Sequence, residues 1–315
     1  MPFKHFLSVT DLTPAENREV LVLANDIKRN PDRYRTTLQG QTLAMIFQKK
    51  STRTRVSFEV GMVQLGGHAL FLSSADIQIG RGETIADTAR VLSRYCNGIM
   101  ARVYGHDTVE ELARWASVPV INGLSDLEHP CQTLCDAQTL VEQWSPAGTF
   151  DPDVLRGKTL VYVGDGNNMA HSLLDTGAAL GMNVTIVAPH GYWPDPAIVD
   201  RCQKLGTQTG ARIAVTDDKE RGVIGADCIY TDVWASMGQE EEHAKRLKDF
   251  DGYIVDTSMM ARANPGCAFM HCLPAHRGEE VSAEVCDGPQ SIIFDQAENR
   301  LHVQKALMVK LMGGR

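Results

Sequence analysis

The sequence has no excess of basic residues. Its 315 residues include 31 lysines and arginines against 39 aspartates and glutamates, which gives a formal net charge of -8 at pH 7. Proteins that bind nucleic acids or anionic membranes normally carry a basic surface. We therefore expect neither kind of partner, and any anion site must be a local feature of the chain.

Long apolar runs and paired cysteines are also lacking. The opening segment MPFKHFLSVTDLTP has no apolar stretch of the signal-peptide kind, and no window elsewhere is long enough to span a membrane. The eight cysteines include no C-x-x-C pair, which is poor spacing for a structural zinc site or a disulfide framework. We expect a cytoplasmic protein whose cysteines are free thiols.

The length and the order of the apolar segments predict two α/β domains. A chain of 315 residues exceeds what one hydrophobic core usually holds. In the first half, the apolar runs QTLAMIF, HALFLSS, GIMARVY and VPVING alternate with helix-like stretches, as in a parallel sheet with crossover helices. Thr13, Pro14 and Glu16 match a capping box at the start of an amphipathic helix.

A second α/β segment follows a break rich in proline, glycine and aspartate, SPAGTFDPD at 145–153. The break comes after a helical pattern over 130–144. Six apolar runs then predict strands: KTLVYVG, NVTIVAP, RIAVTD, CIYTDV, YIVDT and AFMHCLP. The amphipathic segment 298–312 predicts a helix that packs back on a neighbouring domain. The predicted fold is α/β, with two doubly wound parallel-sheet domains linked by helices.

The segment STRTR at 51–55 is predicted to bind an anion. It follows the strand QTLAMIF and leads into a helical pattern, so its hydroxyls and backbone N–H groups lie at a helix N-terminus. Arg53 adds a planar set of donors that matches two phosphate oxygens. Arg55 points elsewhere on the helix, where Glu59 at i+4 is its natural partner. Alone, the segment is equally consistent with a capped helix carrying surface charges.

Two further strand-to-helix junctions carry polar groups toward the same sheet edge. Arg102 ends or follows the strand GIMA, and HPCQ at 129–132 opens the next long helix. The carboxyl edge of a parallel sheet is where ligands bind. His129 alone would be interpreted as a helix-start residue, but its position at this edge makes it a candidate site residue.

The nucleotide-binding patterns are incomplete. In VYVGDGNNMAHS, Gly164 and Gly166 follow a strand, but Met169 stands at the third glycine position and no acidic residue closes the following strand. The tripeptide GKT at 157–159 precedes its strand, whereas a P-loop follows one. We expect no nucleotide cofactor. The pair Asn167 and Asn168 is consistent with helix capping or with binding of an amino-acid headgroup.

The segments DVWASMG at 232–238 and HCLP at 271–274 follow apolar strands of the second domain. Cys272 with His271 and His276, and Cys131 with Cys135, do not form a recognisable set of metal ligands. We expect no metal. Cys272 alone would be a buried core cysteine, but its place at a strand end favours a site residue.

Taken in order, STRTR, HPCQ, DVWASMG and HCLP resemble the aspartate/ornithine carbamoyltransferase family over essentially the whole chain. The last two motifs resemble its ornithine branch, since the aspartate branch is expected to carry His-Pro-Leu-Pro in place of HCLP. The resemblance implies transfer of a carbamoyl group from carbamoyl phosphate to the side-chain amine of L-ornithine, giving L-citrulline and phosphate, without a cofactor. This reaction belongs to arginine metabolism.

The resemblance also implies an arrangement of domains and subunits. A carbamoyl phosphate-binding domain would span 1–145 and be completed by the helix 298–315. An ornithine-binding domain would span 146–297, with the active site in the cleft between the two. The chain would assemble into a homotrimer or a multiple of trimers.

Site residues follow from the same resemblance. Those implied to bind carbamoyl phosphate are Ser51, Thr52, Arg53, Thr54, Gln78, Arg102, His129, Gln132, Cys272, Leu273 and Arg300. Catalytic roles are implied for Arg53, Arg102, His129 and Cys272, and Gln78 would reach in from a neighbouring subunit. Those implied to bind ornithine are Asn168, Asp232, Ser236 and Met237.

The chemistry of the residues agrees with this interpretation, and some alternatives stay open. Attack of an amine on the carbamoyl carbon creates a tetrahedral oxyanion, which fixed donors stabilise. The alternatives are carbamoyl transfer to aspartate, putrescine or an acylated ornithine, a non-catalytic anion-binding protein, and a nicotinamide-dependent oxidoreductase. The presence of both STRTR and HCLP argues against a simple anion sensor, which needs only the first.

Overall fold

The structure is a computed structural model that describes residues 5–75, 77–79, 82–235 and 242–313. The chain forms two compact units. Unit 1 comprises Met1–Gln138, Ser145–Pro152 and Glu298–Arg315, and unit 2 comprises Thr139–Trp144 and Asp153–Ala297. No helix in the described ranges combines the length and the apolar character that crossing a bilayer requires.

Unit 1 contains a four-stranded parallel sheet. Its strands are β1 (Thr42–Phe47), β2 (His68–Ser73), β3 (Gly98–Arg102) and β4 (Val120–Leu124), in the spatial order β2-β1-β3-β4. The two central strands are almost wholly buried. Apolar side chains such as Ile46, Ile99 and Val120 from the sheet and Leu112 from a covering helix form the core.

The helices in the first segment of unit 1 are α1 (Pro14–Arg29), α2 (Thr52–Gln64), α3 (Ile85–Tyr95), α4 (His106–Trp115) and the first part of α5 (Pro130–Trp144). Two of them, α1 and α5, begin where the sequence signals place them. The capping box at α1 is confirmed, because Thr13 and Glu16 each accept a hydrogen bond from the other's backbone N–H. The predicted helix over 130–144 is also confirmed.

Unit 2 contains a five-stranded parallel sheet. Its strands are β5 (Thr159–Val163), β6 (Asn183–Val187), β7 (Ile213–Thr216), β8 (Cys228–Thr231) and β9 (Ala268–His271), in the order β7-β6-β5-β8-β9. The helices are α6 (Asn168–Leu180), α7 (Pro196–Thr209), α8 (His243–Asp249), α9 (Thr257–Met260), α10 (Ala283–Cys286) and α11 (Ile293–Met312). Helices α5 and α11 contribute residues to both units. The predicted α/β fold with two parallel-sheet domains is confirmed.

One predicted strand, YIVDT, is wrong. Only Val255 in this segment makes a β-bridge, to Val281, although Tyr253 and Val255 are both buried in the core of unit 2. The next residue, Asp256, caps α9, its side chain accepting a hydrogen bond from the Met259 N–H. The cap directs the chain into a helix before a strand can extend.

Candidate active site

The strand order of unit 1 reverses between β1 and β3. In doubly wound sheets, the carboxyl ends of the strands at such a reversal form a crevice that binds ligands. Helix α2 begins at Thr52, shortly after β1 ends at Phe47, and Arg102 ends β3 directly opposite Phe47. The edge predicted from STRTR and Arg102 is therefore the switch point of this sheet.

The N-terminus of α2 lies at this edge. Ser51 is the N-cap, and its hydroxyl accepts a hydrogen bond of 3.1 Å from the Thr54 N–H. The first turn contains no acidic residue, so the positive end of the helix is not neutralised from within the helix. Thr52 is exposed and Arg53 half-buried, which leaves both accessible to an anion.

A buried hydrogen-bond network joins four of the implied site residues. Arg300, from α11, donates to Thr54 Oγ1 through Nη2 at 3.0 Å and to Gln132 Oε1 through Nη1 at 2.5 Å. Arg102 Nη1 donates to the same Thr54 hydroxyl at 3.4 Å. The structure thus brings together side chains from α2, β3, α5 and α11, all within unit 1.

His129, the residue before α5, is buried in a cationic environment. Its burial, followed by the charges of Arg300, Arg102 and Arg53, holds the pKa of His129 well below its usual range. The imidazole is therefore neutral near pH 7 and can donate one ring N–H to a carbonyl oxygen. Several buried cations at one place favour an anion, which offsets their desolvation.

Gln132 is oriented by a residue that the sequence interpretation missed. Its Nε2 donates to Asp136 Oδ1 at 2.8 Å, one turn further along α5. Because Asp136 accepts from the amide nitrogen, the amide oxygen faces Arg300. The i,i+4 spacing of these two residues is the signal that predicts the pair.

The two arginines of STRTR differ as the helical spacing predicts. Arg55 Nε lies 3.5 Å from Glu59 Oε2, and its guanidinium carbon lies 3.8 Å from the centre of the Phe71 ring. The charge of Arg53 instead acts on His129. Arg55 therefore has a structural role on the outer side of α2.

The strand order of unit 2 reverses between β5 and β8, and polar residues follow both strands. Asp232 comes directly after β8 and Asn168 begins α6 after β5. Asp232 Oδ1 accepts hydrogen bonds from the Val233 N–H at 2.8 Å and from Cys272 Sγ at 3.0 Å. Burial raises the pKa of Asp232, against the opposing effects of His271 and of these two hydrogen bonds. A cationic group at this point would stabilise the charged carboxylate.

The loop that carries Cys272 is held by a buried histidine and glutamate. His271 Nδ1 accepts a hydrogen bond of 2.8 Å from the Leu273 N–H, so its Nε2 carries the hydrogen and donates to Glu280 Oε1 at 3.2 Å. Leu273 has a φ of 61°, a left-handed conformation that is unfavourable for residues with a Cβ. Glu280 was missed by the sequence interpretation, since it lies in a loop without periodicity.

Gly166 meets a packing requirement, which explains the incomplete dinucleotide pattern. A Cβ at this position would lie 2.3 Å from the backbone nitrogen of Pro194. The neighbouring Asn167 is the N-cap of α6 and accepts a hydrogen bond of 3.0 Å from the Met169 N–H. The capping interpretation therefore holds for Asn167, while Asn168 is half-buried at the helix start.

The outcome for Ser236, Met237 and Gln78 differs from that for the other implied residues. Ser236 and Met237 lie outside the described residues. Gln78 is exposed in the segment between β2 and α3. The remaining residues implied for carbamoyl phosphate lie in unit 1, apart from Cys272 and Leu273, which lie beside Asp232 in unit 2.

Comparisons with known proteins cover nearly the whole chain. Residues 4–142 match the aspartate/ornithine carbamoyltransferase carbamoyl-P binding domain, and residues 156–311 match the Asp/Orn binding domain of the same family. An ornithine carbamoyltransferase of Methanothermobacter thermautotrophicus is 55% identical, covering 98% of this chain and 99% of that protein. One from Thermococcus kodakarensis is 52% identical, covering 98% and 96%.

Solved structures agree with the sequence matches. An ornithine carbamoyltransferase from Pyrococcus furiosus has a TM-score of 0.93 and 51% identity, covering 99% of this chain and 98% of that one. The ornithine transcarbamoylase from Giardia lamblia has a TM-score of 0.89 and 36% identity, covering 99% of each chain. The similarity therefore extends over both units.

Proposed function

The chain belongs to the aspartate/ornithine carbamoyltransferase family, and from this we infer that it transfers the carbamoyl group of carbamoyl phosphate to the side-chain amine of L-ornithine, giving L-citrulline and phosphate. The relatives named ornithine carbamoyltransferase, at 52% and 55% identity over nearly the full length, support this acceptor over aspartate, putrescine or an acylated ornithine. They give no support to a nicotinamide-dependent oxidoreductase or a simple anion sensor.

The observation that carries the proposal is the convergence of Thr54, Arg102, Gln132 and Arg300 beside His129 and the N-terminus of α2. A helix N-terminus with an arginine is suited to a phosphate group, and buried donors behind it are suited to a carbonyl oxygen. Carbamoyl phosphate contains both groups in one molecule. We accordingly assign its binding to residues 1–145 together with residues 298–315.

We assign the following roles in unit 1. The phosphate is held by the α2 N-terminus through Ser51, Thr52, Arg53 and Thr54. The carbonyl oxygen accepts hydrogen bonds from Thr54, Arg102 and His129, which strengthen as the oxygen becomes an oxyanion. The carbamoyl amide donates to Gln132, whose oxygen is oriented by Arg300 and Asp136.

The ornithine headgroup is assigned to residues 146–297. The carboxylate of Asp232 accepts from the cationic α-amino group, and Asn168, Ser236 and Met237 complete the contacts. Cys272 and Leu273 lie beside the reacting amine. The hydrogen bond from Cys272 Sγ to Asp232 supports a shared role in orienting the amino acid.

The bond changes need no protein base. The amine nitrogen forms a bond to the carbamoyl carbon, and the oxyanion intermediate collapses with cleavage of the bond between that carbon and the phosphate oxygen. The released phosphate accepts the proton that the attacking amine loses. The residues named above orient the reactants and stabilise charge.

An acceptor panel tests the proposal. The purified protein is incubated with carbamoyl phosphate and, separately, with ornithine, acetylornithine, putrescine or aspartate, and each carbamoylated product is measured. Citrulline should be the dominant product. A faster reaction with another acceptor, or the absence of any carbamoylated product, would contradict the assignment.

The rate at limiting ornithine is expected to rise between about pH 6 and 9. Only the neutral amine can attack, and an alkyl amine has a pKa of about 10.4, so its neutral fraction grows about tenfold per pH unit over this interval. Burial and the neighbouring arginines hold the pKa of His129 well below its usual range, so His129 adds no rise of its own. The measurement is initial rate against pH at subsaturating ornithine. A flat profile would contradict rate-limiting use of the minor neutral amine.

We further propose a homotrimer or a multiple of trimers. Unit 1 exposes an apolar surface formed by Val56, Val60 and Val63 of α2 with Leu70 and Phe71 of the edge strand β2, and Val63 is 63% exposed. A hollow of about 900 Å³ lies in this surface. A contiguous apolar surface of this kind is typical of an interface, here with another copy of the chain.

Mixed assemblies test whether Gln78 acts in a neighbouring subunit. The Gln78→Ala and Arg53→Ala variants should each be nearly inactive. After they are dissociated and reassembled together in equal amounts, about a quarter of the sites should combine an intact Arg53 with an intact Gln78 from the neighbour. Activity should recover to about that fraction of the parent's. No recovery, with trimers verified by sedimentation, would place Gln78 in its own subunit's site or outside any site.

A cytoplasmic location is also part of the proposal. All eight cysteines are free thiols, and seven of them are buried. Free thiols are typical of proteins kept in a reducing compartment. This supports the interpretation made from the cysteine spacing.

A further inference from the structure

A cluster of histidine and glutamate side chains lies in unit 2 at the start of α8 and in the loop after β9. His276 Nδ1 lies 3.7 Å from Glu279 Oε2 and 4.0 Å from Glu280 Oε2. His243, the first residue of α8, places Nε2 2.9 Å from the same Glu279 oxygen. His276, Glu279 and Glu280 each offer a ligand atom, and these three atoms lie within 4.8 Å of one another.

One of these oxygens is buried and has no hydrogen-bond partner among the described residues. The Glu280 side chain is fully buried. Glu280 Oε1 accepts a hydrogen bond from His271 Nε2 at 3.2 Å and another from the backbone N–H of His276 at 2.5 Å. Glu280 Oε2 accepts no hydrogen bond from the described residues. An unsatisfied buried carboxylate oxygen is unfavourable, and this one faces the imidazole of His276. It points to a missing positive partner at this position.

Two of the three ligand spacings, both measured from His276 Nδ1, are close to those of a coordination sphere. Nitrogen and oxygen ligands lie about 2.0–2.2 Å from Zn²⁺, so two ligands of a tetrahedral site are about 3.3–3.6 Å apart. The distances from His276 Nδ1 exceed this by a few tenths of an ångström, which side-chain adjustment can close. His276 and Glu279 are partly exposed, so an ion can enter from solvent.

We propose that His276, Glu279 and Glu280 bind a divalent transition metal ion, with Zn²⁺ as the best match, and that His243 supports Glu279 from outside the coordination sphere. One imidazole and two carboxylates suit Zn²⁺, and a site with three protein ligands completes its coordination with water. The hydrogen bond from His243 fixes the orientation of a ligating carboxylate, as outer partners commonly do. None of the residues of this site is assigned a substrate contact in the proposed carbamoyl transfer.

A second possible ligand group must be separated in the test. Asp232, His271 and Cys272 also offer ligand atoms within 4.8 Å of one another, but they belong to the candidate active site. This second group differs from the proposed site because its ligand atoms include the sulfur of Cys272. Co²⁺ distinguishes the two, since a thiolate ligand adds a sulfur-to-cobalt charge-transfer band that oxygen and nitrogen ligands lack.

The experiment titrates the metal-free, full-length protein with Zn²⁺ by calorimetry and with Co²⁺ by absorption spectroscopy. The Cys272→Ser variant should keep one metal site per chain and show no sulfur band. In that background, His276→Ala or Glu279→Gln should weaken Zn²⁺ binding by more than about 100-fold, and His243→Ala by about 10- to 100-fold. His190→Ala, which removes an exposed histidine elsewhere in unit 2, should change nothing.

In the absence of metal, the variants and the parent should unfold at the same temperature. This comparison controls for damage to the fold. Unchanged Zn²⁺ affinity in both His276→Ala and Glu279→Gln would overturn the proposal. It would also be overturned if Cys272→Ser abolished all binding, because the metal would then belong to the sulfur-containing group. Neither outcome depends on carbamoyl transfer, so the proposed activity is tested separately.

Discussion

Replacement of Arg53 by alanine is expected to weaken carbamoyl phosphate binding by about 2 to 4 kcal/mol, or roughly 30- to 1000-fold, and to lower activity severely. Arg53 lies on the first turn of α2, and its charge acts on the buried His129. It is the accessible guanidinium at the proposed phosphate position. Calorimetric titration with carbamoyl phosphate in the absence of ornithine measures the loss.

A matched substitution controls for the loss of charge alone. Arg33 is also in unit 1, but its side chain is 72% exposed and its partner is Asp26 on the surface. Arg33→Ala should bind carbamoyl phosphate as the parent does. If Arg53→Ala also binds it as well as the parent, with an unchanged circular dichroism spectrum, the phosphate position has been assigned to the wrong residues.

Replacement of Asp232 by asparagine is expected to weaken ornithine binding by about 1.5 to 3 kcal/mol, roughly 10- to 150-fold. The amide oxygen of asparagine can still accept from the Val233 N–H and from Cys272, so the local structure should hold. What is lost is the negative charge that faces the α-amino group. Affinity for carbamoyl phosphate, measured without acceptor, should change little.

Asp200 provides the control for this second substitution, because it is an exposed aspartate on α7 of the same unit. Asp200→Asn should leave both affinities unchanged. Equal weakening of both ligands by Asp232→Asn, or no weakening of ornithine, would defeat the assignment of ornithine to residues 146–297. Equilibrium binding of each substrate to the parent and both variants decides between these outcomes.

Features that depend on neighbours along the chain were predicted from the sequence. The capping box at Thr13, the helix over 130–144 and the pairing of Arg55 with Glu59 all follow from spacings of three or four residues. In a helix, residues three or four positions apart lie on the same face and can contact each other. Apolar runs that alternate with helical patterns likewise predicted the parallel strands, because strands of a parallel sheet are buried on both faces and so are continuously apolar.

Features that depend on distant residues could not be predicted in this way. No local pattern distinguishes Arg300 from any other arginine on an amphipathic helix, and only the family resemblance assigned it a role. Its partner Thr54 lies 246 residues earlier. Glu280 lacked even a resemblance to identify it, although it is fully buried beside His271. The strand prediction for YIVDT was wrong for a related reason. Its β-like composition reflects burial in the core without strand pairing.

The discontinuous composition of unit 1 has a consequence for its synthesis. The ribosome adds Gln138, the last residue of the first segment of unit 1, before it adds any residue of unit 2. Arg300, which also belongs to unit 1, is added only about 160 residues later. At 5–20 residues per second, this is a delay of roughly 10 to 30 seconds. Throughout that interval the nascent chain has Thr54, Arg102 and Gln132 but lacks the guanidinium that joins Thr54 to Gln132. A carbamoyl phosphate-binding test on stalled nascent chains would therefore show whether the pocket is completed only when α11 emerges.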